Sequence, residues 1–330
     1  MRMEHAVHTL SVGVMGCSSF GKRAMMPALV QSGTANLTAV ASRTLDRAQE
    51  FAVAFNCEAV EGYDDLLNKK EIDAIYMPLP TGLHEEWGTK VLAAGKHLLI
   101  EKSFAENLES AERMVSVARQ KNVLVMENYL FPHHSQFKWI RDFIESGELG
   151  EIRLLRSTFG FPPLEKSNFR YNKNLGGGAL LDAGGYVTKV VRLLLGDETG
   201  LLASTLAYDS DLGVDIYGDA MFENTKGQVA QVSFGFDYFY QCNLELLGTK
   251  GKLIVERLFT PPPGFSPVVR IEQQGRRQEI SLPPDNHYSN MIEYFSKTIR
   301  DKKDFSTHWD SITAQARLLD AIAKDSSRQC

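Results

Sequence analysis

Cysteine is scarce in this chain, and the little there is lies scattered. Cys17, Cys57, Cys242 and Cys330 show no C-x-x-C spacing, which argues against a zinc site or a disulfide framework and fits a reducing, cytoplasmic setting. No apolar run approaches the roughly 20 residues that a bilayer-spanning helix needs, so no membrane partner is expected. Met1 to Leu10 carries His5 and His8 and lacks the apolar core of a signal peptide. Basic blocks are missing too: 36 Lys and Arg stand against 41 Asp and Glu, a net charge of −5, and no nucleic acid is expected as a partner. His, Cys and Asp form no cluster with ligand spacing, so no metal is expected. There is no internal repeat and no low-complexity segment.

What remains is an ordinary globular composition, 43% hydrophobic and 23% charged over 330 residues, long enough for two domains. Up to about residue 130, strand candidates at Ser11–Met15, Leu37–Ala41, Ile72–Met77, His97–Ile100 and Val123–Met126 alternate with helical patterns at Arg23–Ser32, Thr44–Phe55, Leu83–Ala94 and Asn107–Gln120. In the last helix Leu108, Ala111, Met114, Val115 and Ala118 recur at helical spacing. Such alternation predicts an α/β domain with a parallel, doubly wound sheet. A helix over Phe137–Ile144 follows. From Ile152 to about Leu282 most segments then read as strands, with one helix from about Ala179 to Leu195. That pattern predicts an α+β domain with a large, open, mostly antiparallel sheet. The expected division is 1–130 for the nucleotide-binding domain and 131–305 for substrate binding and oligomerisation. A C-terminal helix, about 306–330, is expected to pack back on the first domain.

The first strand runs into Gly16-Cys17-Ser18-Ser19-Phe20-Gly21, a G-x-G-x-x-G turn with Ser18 at the middle glycine. Gly16 permits the tight turn, and the following helix start offers unpaired N–H groups to a pyrophosphate. The second strand ends in Ser42-Arg43, where an NAD site has an acidic residue. A hydroxyl and a guanidinium suit a 2′-phosphate, which predicts NADP. Pro80 and Thr81, after the third strand, border the expected nicotinamide ribose, with His84 beyond them as a cofactor or substrate contact.

Glu101-Lys102 closes the run Leu98-Leu99-Ile100, which places Lys102 at the carboxyl edge of the sheet, where such folds bind ligands. An ammonium there can polarise a carbonyl or pass a proton. Asn128 ends the fifth strand at the same edge, and His133 follows; both are substrate-binding candidates. Asp182 and Tyr186 share a helix face at i, i+4, with Lys189 one turn on and Gly176-Gly177-Gly178 before them. The glycines are expected to admit a ligand closely. A phenol near an ammonium can donate a proton to a forming alkoxide.

With these residues assembled, the chain resembles the Gfo/Idh/MocA oxidoreductase family over nearly its whole length. The resemblance rests on Gly16–Gly21, Pro27-Ala28-Leu29, Ala41-Ser42-Arg43, Pro78-Leu79-Pro80-Thr81 to His84, Ala94-Gly95-Lys96-His97, Glu101-Lys102 and Gly177-Gly178-Ala179 to Tyr186. Within the family it is most similar to nucleotide-sugar 3-ketoreductases of deoxysugar pathways, through Met126–Tyr129, His133–Gln136, Leu258–Pro263 and Tyr186 in place of the family's common His. The resemblance implies a Rossmann domain followed by an open-sheet domain that often forms the oligomer interface. It also implies Lys102 and Tyr186 as catalytic residues, with Asp182 positioning the substrate. Cofactor contacts then fall on Gly16, Cys17, Ser18, Ser19, Phe20, Ser42, Arg43, Pro80, Thr81, His84, Glu101 and Lys102. Ser103 departs from the family's proline after Glu-Lys, so a looser turn around Lys102 is expected.

The expected activity is NADPH-dependent reduction of a keto group, at carbon 3 of a nucleotide-linked keto-deoxysugar. The alternatives are an NADP-dependent dehydrogenase of a free sugar or polyol, and a cofactor-sensing regulatory subunit that does not turn over. The segment Val229–Phe236 is expected to present an apolar sheet face, and with it a homodimer or homotetramer.

Overall fold

A computed structural model describes residues 9–301 and 304–326. The expectations for Met1–His8 and for Cys330 lie outside the described residues. Among the described residues two compact units emerge, one of 9–104, 110–128, 288–301 and 304–312, the other of 105–109, 129–287 and 313–326.

The first unit is built on a six-stranded sheet, β1 (Leu10–Met15), β2 (Ala35–Ser42), β3 (Glu58–Glu61), β4 (Ala74–Met77), β5 (His97–Ile100) and β6 (Val125–Glu127), in the order β3-β2-β1-β4-β5-β6. Every pairing is parallel. The strand order therefore reverses between β1 and β4, the point at which sheets of this type bind ligands. The inner strands β1, β4 and β5 are short apolar runs buried on both faces, as a sheet covered on both sides requires. A π-helical turn Gly21–Met25 leads into α1 (Met26–Gln31), followed by α2 (Leu45–Phe55), α3 (Tyr63–Leu67), α4 (His84–Ala93) and α5 (Leu108–Lys121). The π turn stands where a regular helix was expected. Pro27 offers no N–H to the preceding turn, and the wider turn absorbs that loss. In α5, Ala111, Met114, Val115 and Ala118 are all buried, as their spacing predicts.

The second unit holds α6 (Ser135–Glu145), β7 (Ile152–Gly160), α7 (Gly185–Leu195), β8 (Gly200–Asp209), β9 (Val214–Glu223), β10 (Val229–Gly235), β11 (Gln241–Gly248), β12 (Gly251–Val255), β13 (Val268–Gln273) and β14 (Arg276–Ser281). Its eight strands run β14-β13-β12-β11-β7-β10-β9-β8, antiparallel except for β7 beside β10. One face buries Leu155, Phe159, Phe222, Val232, Phe234, Leu244 and Leu246 against α7 and its neighbours. The other is polar: Arg156 bonds Gln231 and Glu245 across neighbouring strands, and Lys252 pairs with Glu272. This alternation corrects the expectation for Val229–Phe236. Ala230, Val232 and Phe234 point into the core, and Gln231 and Ser233 lie on the polar face.

The division also differs from the expected boundaries. Helix α8 (His287–Arg300) was expected with the sheet domain, but from Tyr288 onward it groups with the first unit. The last helix, α9 (Ser306–Ser326), is shared between them. Its first turns belong to the first unit, where Trp309 Nε1 donates to Val123 O at 3.1 Å and Asp310 pairs with Arg119. Its later turns belong to the second, where Gln315 Nε2 donates to Gly185 O and Asp325 accepts from Ser204 N. Three elements went unread in the sequence: β3, α3 and β14. Two are sheet-edge strands, Glu58-Ala59-Val60-Glu61 and Arg276-Arg277-Gln278-Glu279-Ile280-Ser281, whose charge blunts an edge and erases the apolar signal.

Lys96 shows how the fold uses a charged side chain as a fastener. It is 7% exposed, and Nζ donates to Lys69 O at 2.6 Å and Ile72 O at 2.8 Å. These bonds close the loop that delivers β4. Lys96→Met leaves both carbonyls without that donor, so a loss of about 2–3 kcal/mol is expected. Thermal melting should show it, with NADPH affinity unchanged; an unaltered melting temperature would refute the fastening role.

Candidate active site

The turn after β1 is shaped by close approach. Gly16 has φ +114°, and a Cβ there would lie 2.7 Å from Leu79 Cδ2, so glycine is required on both counts. Ser18 caps the helix that follows: its Oγ accepts from Gly21 N at 2.9 Å. Ser19 is exposed at the helix start, and the partly buried Phe20 ring meets Tyr288 edge-on at 6.2 Å. Cys17 is half-buried beside Arg47 and Ser42, and burial pushes its thiol above the ordinary cysteine range. At the end of β2, Ser42 is buried and Arg43 is exposed. A glycine turn, a capped helix start and a hydroxyl–guanidinium pair with no carboxylate at the end of β2 fit a dinucleotide carrying a 2′-phosphate.

After β4, Pro80 is partly buried and Thr81 opens a 3₁₀ turn, Thr81–Leu83, with its side chain buried. His84 departs from expectation. It is fully buried, with Nδ1 2.9 Å from Ser103 O and 3.2 Å from Phe104 O, and Nε2 2.8 Å from Leu79 O. Carbonyl oxygens of the chain flank both ring nitrogens, and in the neutral state the ring's one N–H donates to one side only; the contact with cofactor or substrate expected of His84 finds no exposed ring edge. Burial pushes its pKa below the ordinary histidine range, against the pull of those carbonyls.

Glu101 ends β5 with its carboxylate held by two donors, Tyr76 Oη at 2.8 Å and Asn128 Nδ2 at 2.7 Å, both onto Oε1. Burial raises its pKa, and the two donors act in the opposite direction. The Asn128 amide nitrogen is therefore committed to Glu101, its Oδ1 is buried without a hydrogen-bond partner, and the residue is 1% exposed, against the substrate contact expected of it. Lys102 follows, partly buried. The next residues are fixed from the other side as well: Phe104 N donates to Glu127 Oε1 at 2.8 Å. Ser103 is buried with its carbonyl held by His84, which contradicts the looser turn expected without proline.

In the second unit, Asp182 and Tyr186 come from the helix that opens with a π turn, Leu180–Gly184, and continues as α7. Arg170 Nε donates to Asp182 Oδ2 at 2.7 Å. The Tyr186 ring sits among Phe159 (4.8 Å), Tyr129 (5.2 Å) and Phe259 (5.5 Å), mostly edge-on, which fixes its direction. Lys189 is buried with Nζ 5.5 Å from the Tyr129 ring centre. His133 is partly buried in a 3₁₀ turn, and His134 caps α6 by accepting from Gln136 N at 3.1 Å.

The glycine run has a different use from the one expected. A Cβ on Gly177 would strike the Arg170 and Asn172 carbonyls, and one on Gly178, at φ +118°, would strike Asp215. The close approach is the chain's own. Asp215 of β9 is 8% exposed and accepts from Leu180 N at 2.6 Å, capping the helix that bears Asp182 and Tyr186. Arg170, Asp215, Tyr76 and Glu127 were missed in the sequence. Asp215 left a signal, an acid between Val214 and Ile216 in an apolar stretch; Arg170, twelve residues before Asp182, left none.

Fold and side chains together define a dinucleotide-dependent oxidoreductase. Comparison with known proteins agrees. The family model "Oxidoreductase family, NAD-binding Rossmann fold" matches residues 10–129, and "GFO/IDH/MocA C-terminal domain" matches 137–254. The chain belongs to the Gfo/Idh/MocA oxidoreductase family. Among its relatives, dTDP-3,4-didehydro-2,6-dideoxy-α-D-glucose 3-reductase from Saccharopolyspora spinosa is 41% identical, covering 97% of each chain. The enzyme of the same name from Streptomyces violaceoruber is 38% identical over 96% of this chain and 95% of its own. A solved 3-ketoreductase from Actinomadura kijaniata, in complex with NADP and TDP-benzene, superposes with TM-score 0.93 at 37% identity, covering 96% of this chain and 98% of that one. Its K102A and Y186F variants have also been solved with those ligands.

Burial raises the Asp215 pKa to about 6. The folded protein then holds this proton more tightly than the unfolded chain does. The stabilisation, about 3 kcal/mol, is complete below pH 4 and is lost as pH rises through 6. Asp215→Asn is neutral throughout and should gain on the wild type by about that amount between pH 4 and 7. Thermal melting of both proteins across the range checks this; parallel curves would refute it.

Proposed function

We propose that this protein is an NADPH-dependent reductase of the carbon-3 keto group of a dTDP-linked, 2,6-dideoxy keto-sugar. The observation that carries the reading is near-full-length likeness to reductases of that one name, in a chain that keeps both Lys102 and Tyr186.

The loop Gly16–Phe20 and the pair Ser42-Arg43 would hold the cofactor's phosphates, and Pro80, Thr81 and Glu101 would border its nicotinamide end. NADPH, when bound, supplies the hydride for the carbonyl carbon. Lys102 then serves as the positive charge that polarises the carbonyl oxygen, and Tyr186 as the acid that donates its phenolic proton to it. The aromatic ring of neighbours fixes where that phenol points, and the Arg170 ion pair fixes Asp182 as a hydrogen-bond acceptor for a sugar hydroxyl. Glu101, bonded to Tyr76 and Asn128, anchors the strand end from which Lys102 projects.

The cytoplasmic location rests on the scattered thiols, of which Cys17, Cys57 and Cys242 are free. A homodimer or homotetramer stays within the proposal on the family resemblance alone, since the sheet face around Arg156, Thr205, Asp219 and Gln231 is polar. Light scattering at micromolar concentration tests it, and a monomer would count against it.

Two expectations follow from the chemistry. Tyr186→Phe and Lys102→Ala should each lower kcat by about 10²–10⁴-fold while the protein stays folded. Near wild-type turnover in either would defeat the mechanism, and turnover of a free sugar but not of its nucleotide-linked form would favour the free-sugar dehydrogenase. Arg43→Asp should cost at least tenfold in NADPH affinity and leave NADH affinity unchanged or better, as read by fluorescence titration. Equal loss for both cofactors would remove Arg43 from the 2′-phosphate.

A further inference from the structure

We propose that His84 is a positioning residue for Lys102, its Nδ1–H donating to the carbonyls of the turn that follows β5. The inference rests on Lys102 handling the substrate carbonyl, as set out above. His84 opens α4 and is fully buried, yet each ring nitrogen faces backbone carbonyl oxygen. On one side stand Ser103 O and Phe104 O, the two peptides just after Lys102; on the other stands Leu79 O, in the turn after β4. A side chain that only filled space would be apolar here, because burying an imidazole is costly unless its polar atoms are matched.

The turns on either side of the ring are the ones that shape the cofactor end. Leu79 supplies the atom that occupies the space a Gly16 Cβ would need, 2.7 Å away, so the turn that Nε2 faces also packs on the nucleotide loop. Phe104 is gripped a second time, its N–H donating to Glu127 Oε1 at 2.8 Å. Ser103 and Phe104 are thus fixed from α4 and from the end of β6, and Lys102 is the next residue along. Its ammonium can be no better placed than the peptide that carries it. Misplacing a reacting group by about 1 Å costs on the order of 10²-fold in rate.

The test is a double-mutant cycle with a second readout that needs no substrate. His84→Ala should lower kcat for the dTDP-linked keto-sugar by about 100-fold and change NADPH affinity by less than about fivefold. His84→Asn, whose amide N–H falls near the position of Nδ1, should recover part of that rate, and it stands in if the alanine variant does not fold. In a Lys102→Ala background the same His84 substitution should cost less than about threefold, because a residue that acts through Lys102 has nothing left to position. Equal losses in both backgrounds, or a wild-type rate in His84→Ala, would overturn the assignment. Amide hydrogen exchange of the apoprotein supplies the other readout: residues 100–106 should exchange at least tenfold faster in His84→Ala, with the sheet of the second unit unchanged. If the wild type reduces no nucleotide-linked keto-sugar, the functional reading fails. The exchange result still decides whether His84 pins the turn, and unchanged exchange there would end the proposal.

Discussion

Backbone polar groups at the ends of parallel strands are the constraint on which the nucleotide unit depends. Beyond the last ladder bond, each carbonyl and N–H must find another partner or stay in water. At β4, β5 and β6 side chains take up that task. His84 presents its ring N–H to the carbonyls beyond Lys102, and Glu127 takes the Phe104 N–H, while Asn128 and Tyr76 hold the Glu101 carboxylate beside them. The residues that satisfy the sheet edge flank the peptide that carries Lys102. The carboxyl edge is where the ladder stops and also where sheets of this type bind ligands.

The sheet unit solves a parallel problem at a helix start. The helix bearing Asp182 and Tyr186 begins with unpaired N–H groups, and a buried carboxylate, Asp215, takes them. That cap needs room, and Gly178 supplies it by having no Cβ. Arg170 then reaches Asp182, and a ring of aromatic side chains holds Tyr186. Burying Asp215 costs stability at neutral pH, a cost the unit accepts for a fixed helix start. The π turn at Leu180–Gly184 belongs to the same place, as wide turns often do at functional sites.

Membership of the Gfo/Idh/MocA family rests on matches to both units, and the likeness to dTDP-sugar 3-reductases runs through nearly the whole chain. The division of labour between the units is chemically sensible. The first carries the dinucleotide turn and the cation of Lys102; the second carries the phenol of Tyr186 and the carboxylate of Asp182.

Local pattern was enough for the parallel sheet, its reversal beside the glycine turn and the antiparallel character of the second half; Lys102, Tyr186 and Asp182 were legible there as candidates. Apolar periodicity and turn residues act between neighbours in the chain, so they are legible there. The edge strands β3 and β14 were not, because the charge that protects an edge hides its alternation. Tertiary structure alone decided what the polar residues bind. His84 and Asn128 were candidates of the same kind in the sequence, yet both turn inward to backbone or to Glu101. The glycines at 177 and 178 admit the chain's own Arg170, Asn172 and Asp215. Val229–Phe236 is apolar in composition but shows only one face to the core. A hydrogen-bond partner 12 to 35 residues away leaves no periodic trace; it is fixed only when the strands and turns that carry it have folded.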